Sequence, residues 1–394
     1  TDDLMNRVMY AIALNAVVGR TLQLRAHRHA TASATATATA AAASSAALQS
    51  SRSDNSQHSR KPSDASVTGR DRGRTNSLVP AVTATASAAA NAVQQLTETV
   101  IKGEPTQRSD SKPLAGATMK QVFTEPKLSP EHTWCKADFR QFNVRIGPDY
   151  NRYKKKAPSA APIYEPFAVD VFCTKLRADH CCSRFEFADP NSSSPLNVDT
   201  HNKFVPPVFV IQIQIPSDPP SGYFTSSDDG PGWAILMYYR ITPDAVEQLK
   251  DLSTASPAVK LFAEWCEKCT EDPLWRGRFK VINSCTNLDE LGIPSAISAY
   301  NAKPIMIRRT GSISRGTNDG IKYMEMDIHV HKFATLAKQS IHYISSRCGQ
   351  MFMQIGFVIE GVSDPELPET LFACVAVNKP QEELAEFIFD EEDS

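Results

Sequence analysis

The stretch Tyr323-Met324-Glu325-Met326-Asp327-Ile328-His329-Val330-His331 decides how this chain is read. Met324, Met326, Ile328 and Val330 alternate with Tyr323, Glu325, Asp327, His329 and His331. A period of two sends the two sets to opposite faces of a strand, one packed on a core and one solvated. The same alternation recurs at 204–215, where Phe209, Ile211, Ile213 and Ile215 oppose Val208, Val210, Gln212 and Gln214. Strands are further expected at 168–173, 233–241, 278–283, 304–309, 352–360 and 371–377. Thr242-Pro243-Asp244 and Ser256-Pro257 each offer a capping hydroxyl followed by proline, the start signal of a helix. A third helix is read over 332–347, with Phe333, Ala337, Ile341 and Ile344 on one face, and an acidic fourth near 382–389. Strands outnumber helices and short turns join several of them. The fold class is therefore α+β: a mainly antiparallel twisted sheet with helices packed on one face.

Outward from this body the composition changes. Aromatic and β-branched residues recur only from Trp134 onward, so the domain is placed at 131–394, with an acidic tail. Residues 31–130 read as a disordered linker rich in Ala, Thr and Ser, because such a segment buries too little apolar surface to offset the entropy of ordering it. Residues 1–30 read as a short helix or leader. The chain opens on Thr1, as a fragment would. Were Met5 the start, Arg7, Arg20, Arg25 and Arg28 would precede the next acid, Asp54, which is the profile of an organelle transit peptide. No run reaches the roughly 18 apolar residues of a membrane span. Nine cysteines at irregular spacings fit reduced thiols in a cytoplasmic protein better than a disulfide framework. With 42 basic and 44 acidic residues the net charge is −2, which argues against nucleic acid as the partner.

Several constellations invite chemistry. Asp327, His329 and His331 share a strand face and could ligate zinc or iron, although no fourth ligand stands out and a solvated face is the simpler reading. Cys266 and Cys269 form a CxxC, but Val259, Phe262, Cys266 and Cys269 follow the buried stripe of a helix, unlike an exposed redox pair. Gly311 to Gly316 has a phosphate-loop frame without the lysine, and reads as a flexible Ser/Gly turn. No GxSxG elbow occurs. Arg152-Tyr153-Lys154-Lys155-Lys156 interleaves an aromatic with four cations, a pattern that attracts anionic headgroups or simply solvates a loop. Ser63 and Ser77 follow basic residues, as basophilic kinase sites do.

Taken in order, a set of short motifs resembles the C-terminal domain of the plant Enhanced Disease Resistance 2 family, which also occurs in algae and protists. The set begins with Phe142-Asn143-Val144-Arg145, Gly147-Pro148-Asp149-Tyr150 and the Lys154–Lys156 run. It continues through Ala168-Val169-Asp170-Val171-Phe172, 208–216, Arg278-Phe279-Lys280 and Lys303-Pro304. Tyr323-Met324-Glu325-Met326-Asp327-Ile328, Phe357-Val358-Ile359-Glu360-Gly361 and Glu366-Leu367-Pro368-Glu369 complete it. Plant members usually carry pleckstrin-homology and START domains upstream, and this leader resembles neither, so binding by those domains does not carry over. What the resemblance implies is a non-enzymatic, lipid-associated regulatory domain without a cofactor. It meets an anionic membrane surface through Arg145, Arg152, Lys154, Lys155 and Lys156. Two alternatives stand beside it: a protein-interaction scaffold with a phosphorylated leader, its partners unknown, and a metal-dependent enzyme built on Asp327, His329 and His331. Glu360, Glu366 and Glu369 are expected to accept backbone N–H bonds around a turn rather than to catalyse.

Overall fold

The computed structural model describes residues 112–123, 129–189, 192, 194–220 and 228–387. The expectations for residues 1–30, for most of the linker, and for Ser63 and Ser77 lie outside the described residues.

Among the described residues the strands form two six-stranded sheets and one two-stranded sheet. The first sheet runs in the order β1 (Lys120–Gln121), β2 (Thr133–Cys135), β13 (Leu371–Asn378), β12 (Phe352–Ile359), β8 (Phe279–Cys285) and β9 (Pro304–Met306). The second runs β10 (Gly311–Asn318), β11 (Ile321–His329), β6 (Val208–Pro216), β7 (Gly232–Ile241), β5 (Tyr164–Thr174) and β14 (Glu386–Phe387). The small sheet pairs β3 (Asn143–Arg145) with β4 (Lys156–Pro158). Antiparallel pairing dominates, with parallel pairs at β1–β2, β6–β11 and β5–β14. The α+β, mainly antiparallel reading holds, and its strands divide between two sheets packed face to face.

Alternation explains the packing. Phe209 and Ile211 of β6, with Met324, Met326 and Ile328 of β11, enter a core shared with Val281 of β8, Ile355 and Phe357 of β12, and Val375 of β13. Aromatic rings fill the space between the sheets: Phe209 meets Phe372 at 5.2 Å and Tyr239 meets Phe357 at 6.2 Å. The helices are α1 (Tyr150–Tyr153), α2 (Pro243–Leu249), α3 (Pro257–Lys268), α4 (Pro273–Arg276), α5 (Ser295–Ser298) and α6 (Thr335–Ser345). As the sequence anticipates, Thr242 caps α2 by accepting from the Ala245 N–H, and Ser256 caps α3 by accepting from the Val259 N–H. The apolar face of α3 brings Phe262 to 5.0 Å from Phe372 and Trp265 to 5.9 Å from Phe279. Burying each such side chain stabilises the fold by about 2–3 kcal/mol.

Three expectations change. Residues 112–123, assigned to the linker, fold onto the domain, where Ala115 and Met119 are buried. Their anchor is Asp170, which accepts from the Gly116 N–H at 2.6 Å and from the Thr118 N–H at 2.9 Å. The Ser/Gly stretch read as a flexible turn is strand β10, paired in register along the whole of β11. The acidic fourth helix is a 3-10 turn at Glu382–Leu384 followed by β14. There the free edge of β5 offers backbone partners and the chain extends to meet it.

Candidate functional site

The polar face of β11 is buried, not solvated. Glu325, Asp327 and His329 lie on the second sheet's outer side, and each is fully enclosed. The cover is the segment after β5, residues 175–187, whose Phe185 and Phe187 pack with Val208, Val210 and Tyr323. Backbone N–H groups of this segment donate into the strand's carboxyls. His180 N–H reaches Asp327 Oδ2 at 3.2 Å, and Cys182 N–H lies 3.2 Å from Glu325 Oε2. Gln212, adjacent in the sheet, donates to the Ala178 carbonyl at 2.7 Å. This cover has a physical reason: a buried carboxyl needs donors, and an irregular segment supplies unpaired backbone N–H groups.

Of the three residues nominated together, the structure unites two. Ser312 of β10 touches both, with its Oγ 3.0 Å from His329 Nε2 and 3.5 Å from Asp327 Oδ2. Asp179 approaches the same His329 nitrogen at 3.2 Å. His331 does not join them. The strand ends at His329, a 3-10 turn follows, and the His331 ring packs over Gly232, where a Cβ would come within 3.1 Å of it. Another set converges instead: ligand atoms of His180, Cys182 and Glu325 all lie within 4.8 Å of one another. The Tyr323 hydroxyl sits 2.6 Å from His180 Nε2 and fixes that ring. Sequence reading passes over His180 and Cys182 because they stand on an irregular segment far along the chain from β11. The adjacent Cys181-Cys182 pair is the one signal that could have drawn attention there.

Burial sets the electrostatics. It raises Glu325 against the pull of the Cys182 N–H, and it lifts Asp327 well above the carboxylate range, with the Glu325 charge adding to the effect. Burial also pushes the Cys182 thiol up, and the Glu325 carboxylate reinforces this. His329 is depressed by burial, against the attraction of Asp179.

A second constellation occupies the corner formed by the β3–β4 hairpin. Arg145 turns inward: it pairs with Glu360 at 2.7 Å and Glu369 at 3.9 Å, and its guanidinium lies 4.8 Å from the Tyr150 ring centre. Lys280 and Glu369 form a buried ion pair at 2.7 Å, and burial lowers Lys280 even with that partner beside it. Arg278 pairs with Glu366 at 2.9 Å and stacks 3.8 Å from the Trp275 ring centre. Glu369 accepts from the Gly361 N–H, and Glu366 accepts from the Val362 and Ser363 N–H groups, the turn role expected of these carboxylates. Arg145 therefore spends its charge inside the domain.

Arg152, Lys154, Lys155 and Lys156 differ. All four are exposed, and none makes an ion pair with a described residue. Arg152 and Lys155 flank the Tyr153 ring at 5.1 and 5.6 Å, and Lys154 lies 5.3 Å from the Tyr150 ring. Tyr153 itself is 51% exposed. The Asp149 N–H donates to Asp364, which ties the hairpin to the loop bearing exposed Val362.

The CxxC thiols are buried on α3 and its C-cap, where burial raises both, Cys269 to about 11. A groove of about 840 Å³ runs along residues 197–207, 315–317 and 322–323. Among the described residues no helix is long and apolar enough to cross a membrane.

Comparison with known proteins gives one result. The family model described as Protein ENHANCED DISEASE RESISTANCE 2, C-terminal, matches residues 134–380. No curated protein and no solved structure matches. The matched span begins at Trp134, where the composition shifts, and takes in both constellations and more than half of the chain. The chain belongs to the Enhanced Disease Resistance 2 C-terminal family.

Proposed function

We propose that this domain is a non-enzymatic binding module that docks on anionic membrane surfaces through its β3–β4 corner, acting at the cytoplasmic side as a peripheral protein. The supporting observation is the exposed set Arg152, Lys154, Lys155 and Lys156 around the half-exposed Tyr153. Each cation near an anionic bilayer contributes roughly 1 kcal/mol. An amphipathic tyrosine suits the headgroup layer, because its ring is apolar and its hydroxyl is wet. Val362, 56% exposed, belongs to the same corner through the loop whose Asp364 accepts from the Asp149 N–H. The acids Asp149 and Asp364 also stand there, outnumbered by the cations.

The ion-pair network beneath gives the hairpin a rigid base. Arg145 of β3 is held by Glu360 and Glu369, and β4 begins at the Lys156 paired with it in register. The core between the sheets is filled by aromatic rings, which favours contact with a lipid surface over enclosure of a lipid tail.

Co-sedimentation of the full chain with vesicles tests the proposal. Binding to phosphatidylserine-rich vesicles and not to neutral phosphatidylcholine vesicles is the expected result. Reversing Lys154, Lys155 and Lys156 to glutamate should weaken it on the order of a hundredfold. Equal binding by the reversed variant would remove the hairpin from the account.

A further inference from the structure

The set under the 175–187 segment differs from the hairpin in kind: Cys182 and Glu325 are buried, His180 is half-buried, and together they offer sulfur, nitrogen and oxygen donors. His180 and Cys182 come from the covering segment, and Glu325 comes from β11. Their ligand atoms lie mutually within 4.8 Å, close enough for a small inward shift of the side chains to bring all three onto one ion. Neither Glu325 nor its neighbour Asp327 makes an ion pair with a described residue, and Asp327 Oδ1 is buried without a hydrogen-bond donor. Two carboxyls and a thiol are thus held together where charge is hard to bury.

We infer that His180, Cys182 and Glu325 form a site for a divalent transition metal ion, zinc by the character of its donors. The chemistry of the set supports this. A thiolate, a neutral imidazole and a carboxylate are a borderline-soft group of three, which suits zinc and disfavours magnesium or calcium. Thiolate plus carboxylate carries two negative charges, and a divalent ion cancels them within the first coordination sphere. The Tyr323 hydroxyl holds His180 by Nε2 at 2.6 Å, so the ligating nitrogen would be Nδ1, with Nε2 oriented as in other metal-bound histidines. The Cys182 N–H anchors Glu325 from the other side. Binding would release to solvent the proton of the Cys182 thiol and any proton held by Glu325, forming metal–sulfur and metal–oxygen bonds with no electrons transferred. Three protein ligands leave a fourth position for water or for Asp327.

Such an ion would fasten the 175–187 segment to the second sheet. This role is independent of membrane docking, since the site and the basic hairpin share no residue.

The full chain, stripped with a chelator and dialysed against zinc or cobalt(II), provides the test. One zinc per chain by elemental analysis is expected, together with a thiolate-to-cobalt charge-transfer band and tetrahedral ligand-field bands in the cobalt form. Cys182→Ser should abolish the charge-transfer band, and Glu325→Gln should weaken cobalt binding. Should Cys182→Ser fail to fold, Glu325→Gln and the wild-type cobalt spectrum decide. A wild-type chain that takes up no stoichiometric metal overturns the assignment. So does a cobalt–thiolate band that survives Cys182→Ser.

Discussion

Lys280 and Glu369 are buried against each other at 2.7 Å, inside the ion-pair network that also holds Arg145. Removing Lys280 leaves Glu369 only the longer pairing with Arg145 at 3.9 Å, and a buried charge short of its main partner is costly. Lys280→Met should lower stability by about 3 kcal/mol, and the double change Lys280→Met/Glu369→Leu should recover a large part of it. Chemical denaturation of the three proteins checks this, and a double variant no better than the single one contradicts it. Glu366 allows a test in pH. Its burial alone would raise the carboxyl, but the Ser363 and Val362 N–H groups and Arg278 outweigh that and hold it below its ordinary value. A depressed folded pKa gives stability that is present above the unfolded value, near 4.3, and lost as pH falls through the folded one. Wild type should therefore exceed Glu366→Gln by about 1 kcal/mol at neutral pH, with the two converging in acid. Parallel stability curves down to low pH would count against the link. At this scale the sequence was partly legible. Asp327 and His329 stood out by alternation, and Glu360, Glu366 and Glu369 were placed in a turn. His180 and Cys182 were not legible, because only the return of an irregular segment over β11 brings them near Glu325.

Strands declared by alternation were read well, as β6 and β11 show, because one face had to enter a core. β10 was missed for a physical reason. Its Gly311, Ser312, Ser314 and Gly316 lack the branched side chains that favour strands, and pairing with β11 imposes the conformation. Gly316 makes the dependence plain. It lies directly opposite Tyr323, and a Cβ at that position would run into the tyrosine ring. Gly316→Val should displace Tyr323 from His180 and cost about 1–3 kcal/mol. A melt or denaturant titration, with the tyrosine environment followed by near-ultraviolet circular dichroism, measures both effects. An unchanged spectrum at wild-type stability would mean the strand pair yields more easily than its packing implies. The solvated face expected of β11 was wrong for a related reason. Periodicity reports which residues share a side, but it does not report what later chain segments lay upon that side.

For the molecule as a whole, docking by a few exposed cations has a characteristic response to salt. The Debye length falls from about 10 Å at 0.1 M to about 3 Å at 1 M. Vesicle binding should therefore fade across that range if charge leads, and should persist if Tyr153 and Val362 dominate. Sedimentation at graded salt distinguishes the two. The α+β class was visible in pattern, whereas the docking of residues 112–123 through Asp170 was not visible in composition. The division into two sheets was not, since which strands become neighbours depends on long-range pairing that alternation leaves open.

That pairing has a consequence for the life of the chain. Cys135 of β2 hydrogen-bonds beside Ala376 of β13, and Phe172 of β5 beside Glu386 of β14, so strands from the opening of the domain wait for its last residues. During synthesis both sheets stand incomplete until residues 371–387 have emerged, and contacts this remote in sequence form slowly. A chain that stopped before β13 would therefore keep an open, adhesive sheet in place of a slightly smaller domain.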